Sequence, residues 1–476
     1  MQEHDQPREP GFRHALLTFA TIVTIIGFGL FYLSTSLHSL MLGCILVASF
    51  SAMGLGVRYK SIRDAMNEGI SGALGAIYIF IMIGVLIAAL IESGTLGALI
   101  YFGIQFIEPH IFLPAGLLLC SLMSIATGTS WGTVGTAGVV LMGIGTAMGF
   151  PEPLIAGMVI SGACFGDKMS PVSDTTNLAA MSSHTTLYQH MRSMCYTTVP
   201  VYCLVLVLFT FLGMGYSSAA LPETELATLS NALNSTFTIS WLAVLPLLVM
   251  MLFIAFRAPA EVAMVAATSV CVVLAVTLQD RSFSAVLNSL FSGSEIRSGV
   301  ETLDNLLGRG GLMSMMWTLS LALMALALGG ILSRFGFLKV LISGVLRRIK
   351  RRATLVATTI ISGFIGNSTM GEAYMSIILG GQLFGDAYDN HGIDRAVLSR
   401  SLEEGATLTF ALIPWTTGGA FFASTLGVSV LEYAPWALLN WINPLIGILF
   451  AFLGIGLISS TNESPARSES AGEATA

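Results

Sequence analysis

Residues 153–183 read PLIAGMVISGACFGDKMSPVSDTTNLAAMSS, an apolar stretch that a polar run interrupts between Gly166 and Asn177. The run holds two aspartates, a lysine, four hydroxyl side chains and a proline. Each ionic group at bilayer depth costs roughly 2.5–3.5 kcal/mol, so such groups persist mainly where they bind or conduct something. Pro171 removes a backbone donor and frees carbonyl groups that can coordinate a cation. The stretch therefore predicts a broken membrane span that carries the functional site.

The composition places the whole chain in a membrane. Of 476 residues, 54% are hydrophobic and only 10% are charged, whereas about 25% are charged in an average soluble domain. The mean hydropathy is +0.80. The net charge of −6 is small, and the absence of a basic patch argues against a nucleic-acid partner. We expect the lipid bilayer as the surrounding medium, and no cofactor.

Apolar segments long enough to cross a bilayer recur along the chain. Residues 112–148 are too long for one span, since a straight helix of that length measures about 55 Å against a hydrocarbon core of about 30 Å. They predict a re-entrant hairpin with its tip near Gly128–Thr133. The single apolar spans are predicted at 13–34, 38–56, 70–91, 197–214, 238–256, 259–277, 311–333 and 432–456.

The second half of the chain repeats these interruptions. Residues 353–384 predict a second hairpin with its tip at Gly366–Thr369, and residues 395–428 predict a span broken around 413–419. Gly128 and Ser130 match Gly366 and Ser368 at an offset of 238. The fold class is therefore an all-α polytopic membrane protein, an inverted repeat of two five-span units, each with a re-entrant hairpin and a broken helix.

The distribution of basic residues predicts the orientation. The link at 95–110 has no Lys or Arg, whereas its counterpart at 334–352 has seven, so the latter should be cytoplasmic. The protein is then expected in the cell inner membrane, with both termini on the cytoplasmic side. The predicted parts are a cytoplasmic N-terminal tail, two repeats joined by a loop, and a disordered C-terminal tail, at 1–12, 13–215, 216–237, 238–456 and 457–476.

The run GDKMSPVSDTTNLAA at 166–180, with GTSWGT at 128–133, resembles the signature of the NhaC family of sodium/proton antiporters. The resemblance covers about residues 13–456. It implies exchange of cytoplasmic Na⁺ for external H⁺, with Li⁺ left open. Family relatives exchange malate for lactate or carry other organic acids and amines, so a Na⁺- or H⁺-coupled organic-anion exchanger is the alternative. The implied ion-binding residues are Asp167, Ser170, Ser173, Asp174, Thr175, Thr176 and Asn177.

The residues themselves support a cation site, because Na⁺ is a hard cation that takes oxygen ligands. We expect Asp167 and Asp174 to be Na⁺ ligands at which protons and Na⁺ compete. In the structural alternative, one aspartate caps a half-helix and the other pairs with Lys168. Lys168 is either a coupling lysine that pairs with an aspartate in the sodium-free state, or a side chain that reaches the surface.

Other oxygen-bearing side chains lie at the remaining breaks. Each has a structural alternative, namely close helix packing or helix capping. Near them, Arg400 and Glu404 are expected to form an i,i+4 ion pair, which leaves Glu403 the freer acid. The further candidate ligands are Thr129, Ser130, Thr133, Asn367, Ser368, Thr369, Glu372, Thr416 and Thr417.

Two rival classes remain open. Residues 128–132 match G-x-S-x-G, which would make Ser130 a hydrolase nucleophile with His184 or His190 as its base, but that motif needs a strand-to-helix turn. A passive channel is the other rival class. We expect a transporter rather than an enzyme, with sodium ions and protons as its substrates, and a homodimer is left open.

Overall fold

The computed structural model describes residues 8–217, 223–256 and 258–459, and these form helices joined by loops. The N-terminal tail, the connecting loop, the C-terminal tail and Arg257 therefore lie wholly or partly outside the described residues. The helices of the first half are α1 (Phe12–Phe31), α2 (Leu37–Gly54), α3 (Tyr59–Ser71), α4 (Leu74–Glu92), α5 (Thr95–Phe106), α6 (Pro109–Thr127), α7 (Ser130–Thr133), α8 (Val139–Ala147), α9 (Glu152–Lys168), α10 (Asp174–Ser182) and α11 (Leu187–Ser217).

The second half is equally helical. Short π or 3₁₀ turns lie at Val134–Gly138, Trp241–Val244, Glu403–Thr407, Thr409–Leu412 and Ala434–Trp436. Its helices are α12 (Glu223–Thr236), α13 (Leu245–Ala255), α14 (Ala260–Thr277), α15 (Phe283–Ser292), α16 (Glu301–Leu307), α17 (Leu312–Arg334), α18 (Phe337–Leu346), α19 (Arg352–Met370), α20 (Ala373–Asn390), α21 (Arg395–Leu402), α22 (Thr417–Leu426), α23 (Val430–Tyr433) and α24 (Leu438–Leu453).

The helices confirm a polytopic membrane protein. By length and composition, five described helices can cross a membrane, and the number rises to nine if each of four bent helix pairs counts as one span. Every predicted apolar span overlaps a helix, although those at 238–256 and 432–456 fall in helix pairs bent by 87° and 58°. Helix α17 is the most enclosed of the five, with 72% of its apolar window buried, and it packs against α2, α3, α4 and α19. It is therefore the central helix of the bundle.

The first hairpin has its predicted tip. Helix α6 ends at Gly128, which adopts a left-handed conformation with φ of 70°, and the chain returns through α7 and α8. A Cβ on Gly145 would lie 2.7 Å from the Phe112 ring, and one on Gly116 would lie 3.5 Å from Leu141. These pairings run in opposite directions along the chain, so the two arms are antiparallel.

The predicted tip of the second hairpin is wrong. Helix α19 continues through Gly366–Thr369 to Met370, and the turn falls at Gly371, whose φ is 69°. Two glycines near this turn have different structural roles. Gly366 lets the arms approach, since a Cβ there would lie 2.7 Å from the Ser376 hydroxyl. Gly371 takes the left-handed conformation that disfavours other residues.

The two halves share one order of elements. The hairpin glycines Gly128 and Gly371 lie 243 residues apart, so the predicted offset of 238 is wrong. Asp174 and Thr417, which begin the second parts of the two broken spans, are separated by the same 243 residues. Both spans are broken as predicted, and the second is bent by 43°. The inversion of one half relative to the other, and the domain boundaries, stay predictions.

Candidate functional site

The break between α9 and α10 is built from the polar run itself. The Ser170 hydroxyl donates to the Ile125 carbonyl at 2.7 Å, and the Asn177 amide donates to the Ser173 and Pro171 carbonyls at 2.8 and 3.1 Å. The Thr176 hydroxyl lies 3.3 and 3.2 Å from the carbonyls of Asp167 and Lys168. These side chains therefore fix the break through hydrogen bonds to carbonyls of α6, of α9 and of the polar run itself.

Asp167 joins this break to the tip of the first hairpin. Its Oδ2 accepts from the Ser130 backbone N–H at 3.1 Å and from the Ser130 hydroxyl at 2.6 Å. Its Oδ1 accepts from the Ser173 hydroxyl at 2.6 Å. Both serines are fully buried. The arrangement stabilises a carboxylate at a fixed position, because hydrogen bonds to a charged acceptor are short and strong.

Glu372 makes the corresponding contact in the second half. It lies at the tip of the second hairpin, where its Oε1 accepts from the Ala373 N–H at 3.0 Å. Its Oε2 accepts from the Thr417 hydroxyl at 2.5 Å, at the start of α22. Thr416 caps the same helix by accepting from the Gly419 N–H at 3.0 Å. Each hairpin tip is thus tied to its broken span through one buried carboxylate.

Asp174 differs from these two acids, because its side chain is exposed whereas theirs are buried. It begins α10. A cavity of about 40 Å³ has Asp167, Asp174 and Glu372 among its lining residues. The sequence predicted the first two as a pair and Glu372 as a further candidate; the structure brings Glu372, from the other half of the chain, to the same cavity. Like charges so close in a medium of low dielectric are costly unless a cation or a proton compensates them.

A larger cavity of about 1050 Å³ also reaches Asp174 and Glu372. It extends to Gly72 and Ala73 before the start of α4 and to Glu261 at the start of α14. A hydrated ion in this cavity can therefore approach Asp174 and Glu372. Among the described residues, no three acidic, histidine or cysteine side chains converge into a metal cluster. Hydroxyl or carbonyl oxygens would complete the coordination of an ion here.

Not every predicted ligand lies at this cavity. Thr129 and Thr175 line it beside the three acids, whereas the Thr133 hydroxyl donates within its own helix to the Thr129 carbonyl at 3.0 Å. In α19, Asn367 donates to the Ala406 carbonyl at 2.7 Å. The Ser368 and Thr369 hydroxyls donate to the carbonyls one turn earlier, at Phe364 and Ile365. The ligand roles assigned from the sequence stay predictions.

Among the described residues, Lys168 forms no ion pair with an aspartate. Its side chain is fully buried, so it does not reach the surface, and its Nζ lies 4.0 Å from Oε1 of Glu404. The expected pair between Arg400 and Glu404 is present at 3.8 Å. Helix α9 ends at Lys168. Asp167 contacts the first hairpin through Ser130, whereas Lys168 contacts Glu404 in the second half of the chain.

Two aromatic residues line the site. Tyr374 lines both cavities, although no role was predicted for it from the sequence. Its place two residues after Glu372, beside the break, was the available signal. Trp131 lines them too and stacks on Phe421, with ring centroids 4.3 Å apart. The Trp131 side chain thus both packs against Phe421 and shields the site.

Discontinuous helices that meet at buried carboxylates, beside a cavity open towards one end, define a polytopic secondary transporter for a small cation. Sequence comparison gives the family. A model of the Na⁺/H⁺ antiporter family matches residues 13–164 and 162–455. The chain belongs to this family, the NhaC antiporters, which is one of transporters rather than enzymes.

Three relatives show the range of the family. The Na⁺/H⁺ antiporter NhaC of Alkalihalophilus pseudofirmus is 37% identical over 93% of this chain and 96% of its own length. The malate-2H⁺/Na⁺-lactate antiporter of Bacillus subtilis is 37% identical over 86% and 88%. The arginine/ornithine antiporter ArcD of Halobacterium salinarum is 32% identical over 98% and 97%.

Proposed function

We propose that this protein exports Na⁺ across the cell inner membrane in exchange for H⁺, and that Asp167, Asp174 and Glu372 bind the transported ions. The observation that carries the proposal is their meeting at one cavity of about 40 Å³. Three carboxylates there favour a bound cation, and protons can replace it. Competition between Na⁺ and H⁺ for the same oxygens is the minimum requirement for exchange.

The position of the large cavity at one end of α4 supports an alternating mechanism. Helix α4 has 19 residues and is about 28 Å long, with the large cavity at its start. Near its other end, Arg309 donates to the Leu426 carbonyl at 2.8 Å and to both oxygens of Glu152 at 3.1 and 3.2 Å. Arg309 thus ties the start of α9 to the end of α22 on the side away from the cavity. Release to that side requires these bonds to open.

Contacts near the termini support a cytoplasmic position for both. The Lys339 Nζ lies 3.9 Å from Oε1 of Glu9. Arg352 lies 3.4 Å from the Ser459 hydroxyl. Both basic residues belong to the seven in 334–352, so the two ends of the described chain adjoin the link that should be cytoplasmic.

The charge of the large cavity favours a cation over the alternative, an organic anion. Its described lining includes the acids Asp174, Glu261 and Glu372 and contains no Lys, Arg or His. An organic acid would need positively charged or N–H donors there. The hydrolase alternative has no support at Ser130, whose hydroxyl donates to Asp167, while His190 pairs with Ser399 at 2.5 Å. A homodimer stays a prediction that cross-linking in the membrane would test.

Purified protein in liposomes that contain a pH dye tests the proposal. We expect NaCl, but not KCl, to drive proton movement with no organic acid present. Asp174→Asn should insert normally and lose this response, because it removes the acid that faces the cavity. Proton movement that requires malate or lactate would instead identify the organic-anion exchanger. Full sodium-driven exchange in Asp174→Asn would remove that residue from the mechanism.

A further inference from the structure

A second group of charged side chains lies outside the cation site and is completely buried. It joins the end of α9 to the π turn Glu403–Thr407. The side chains of Lys168, Arg400, Glu403 and Glu404 all have no exposed surface. Two positive and two negative charges thus share one enclosed region. Charged residues of α-helical proteins are rarely buried so completely unless they are paired.

The two acids of this group differ in their partners. Glu404 lies 4.0 Å from Lys168 and 3.8 Å from Arg400, and it accepts a hydrogen bond from the Thr197 hydroxyl. Neither carboxylate oxygen of Glu403 has a hydrogen-bond partner among the described residues. Glu404 therefore receives the nearest contacts of both cations, and Glu403 is left unpaired. A buried, ionised and unpaired carboxylate is costly, whereas a protonated one is much less so.

A chain of hydroxyl groups leads from the cation site towards Glu403. The Ser173 hydroxyl lies 2.6 Å from Asp167 and 3.1 Å from the Thr175 hydroxyl. The Thr175 and Thr407 side chains neighbour the Glu403 carboxylate but make no hydrogen bond to it among the described residues. A proton can pass from Asp167 to Thr175 if each hydroxyl accepts one proton on its oxygen and releases its own. The last transfer, to Glu403, requires the Thr175 hydroxyl to turn towards that carboxylate.

We propose that Glu403 is a second proton-binding site of the antiporter, which takes up one proton for each Na⁺ moved in addition to those displaced at the cation site. A proton suits this position better than a second Na⁺, because it bonds to one oxygen and needs no shell of ligands. Lys168 and Arg400 also repel a metal cation there. The inference rests on the proposed Na⁺/H⁺ exchange.

Other titratable groups surround Glu403, and all must be considered in its protonation. Helix α19 contributes only Arg352, at its outer start, and α24 contributes none. The remaining titratable groups on the elements packed against this turn are Glu152, Cys164, Asp167 and Lys168 on α9, Asp174 on α10, Tyr374, Asp386, Tyr388 and Asp389 on α20, Arg395 and Arg400 on α21 and Glu404 in the turn itself. Only Glu403 among the acids of this turn lacks a partner.

The test is the number of protons exchanged per Na⁺, measured in liposomes from the pH gradient that exactly balances a known Na⁺ gradient at zero membrane potential. Each coupled proton multiplies the Na⁺ gradient that balances one pH unit about tenfold. Glu403→Gln should keep sodium-driven proton movement. In this variant, the Na⁺ gradient that balances one pH unit should be about tenfold smaller than in the wild type. Glu403→Asp, which keeps a carboxyl group, should restore the wild-type ratio. Glu108→Gln, at an acid exposed near the start of α6, is the control.

Each other outcome is decisive. An unchanged ratio in an active Glu403→Gln protein would overturn this inference and leave the proposed function intact. A wild-type ratio of one proton per Na⁺ would overturn it without any variant. A Glu403→Gln protein that does not fold also overturns it, since the amide has the shape and charge of the protonated carboxyl. Absence of sodium-driven proton movement in the wild type is the separate failure of the proposed function.

Discussion

The bond between Ser130 and Asp167 provides a quantitative test of the cation site. Ser130→Ala removes the 2.6 Å bond from the hydroxyl to Oδ2 and leaves the 3.1 Å bond from the backbone N–H. The Ser173 bond to Oδ1 also remains. Because Ser130 is fully buried, bulk water does not replace the lost donor. A hydrogen bond to a charged group contributes about 1.5–3 kcal/mol.

The lost bond stabilises the ionised carboxylate, whether or not Na⁺ is bound to it. Its removal therefore lets protons compete better with Na⁺. At acidic pH we expect the half-saturating Na⁺ concentration of Ser130→Ala to rise about tenfold to a hundredfold, since every 1.4 kcal/mol is a factor of ten. The difference from wild type should shrink as the pH rises, because fewer protons then compete.

The assay is the initial rate of sodium-driven proton movement in liposomes, measured against Na⁺ concentration at several pH values. Ser121→Ala is the matched control, because Ser121 is a buried serine of the same hairpin whose hydroxyl donates to the Leu117 carbonyl at 2.7 Å. If Ser130→Ala keeps the wild-type Na⁺ dependence at every pH, the bond does not hold the ion-binding form. An equal loss in Ser121→Ala would point to damaged packing instead.

Two further predictions concern the frame around the site. Gly371→Ala should destabilise the protein in a thermal melt by about 1–2 kcal/mol from its left-handed φ alone, and by more because the new Cβ would lie 3.0 Å from Ala325; Gly336→Ala, with φ of 75° and open space, isolates the first effect. In the loop before α17, hydrogen bonds from the Ser298 backbone and hydroxyl lower the pKa of Asp304. These hydrogen bonds contribute stability at neutral pH, and this stability is lost as the pH falls through the lowered pKa of Asp304. Ser298→Ala removes the bond from the hydroxyl, so it should reduce the fall in melting temperature on acidification; an unchanged fall would contradict this prediction.

The proposed site and the buried group at Glu403 divide the acids of the breaks into two sets. Asp167 and Glu372 are buried and anchored by hydroxyl donors, whereas Asp174 is exposed. Glu403 is not among the residues that line their cavity. The exposed carboxylate can exchange Na⁺ with the cavity, whereas Lys168 and Arg400 disfavour a metal cation beside Glu403. The neighbouring residues Asp167 and Lys168 at the end of α9 thus contact one set each.

The sequence alone determined the class of fold and the position of the breaks. Apolar segments of bilayer length predicted each span, because backbone groups in lipid must be paired within helices. The polar run at 166–177 marked the first break for the same reason. Asp167 and Asp174 were predicted as ion-binding residues because acids at bilayer depth are costly and persist mainly where they have a function.

Only the tertiary structure decided which distant groups meet. Glu372 reaches the cavity from the second half of the chain, and its turn is at Gly371 rather than at Gly366–Thr369. Lys168 pairs with Glu404, which lies more than two hundred positions further along. Composition and helical periodicity act over a few turns, whereas these contacts depend on how whole helices pack. That is why the sequence determined the spans and breaks of this transporter, and packing determined the partners of its charges.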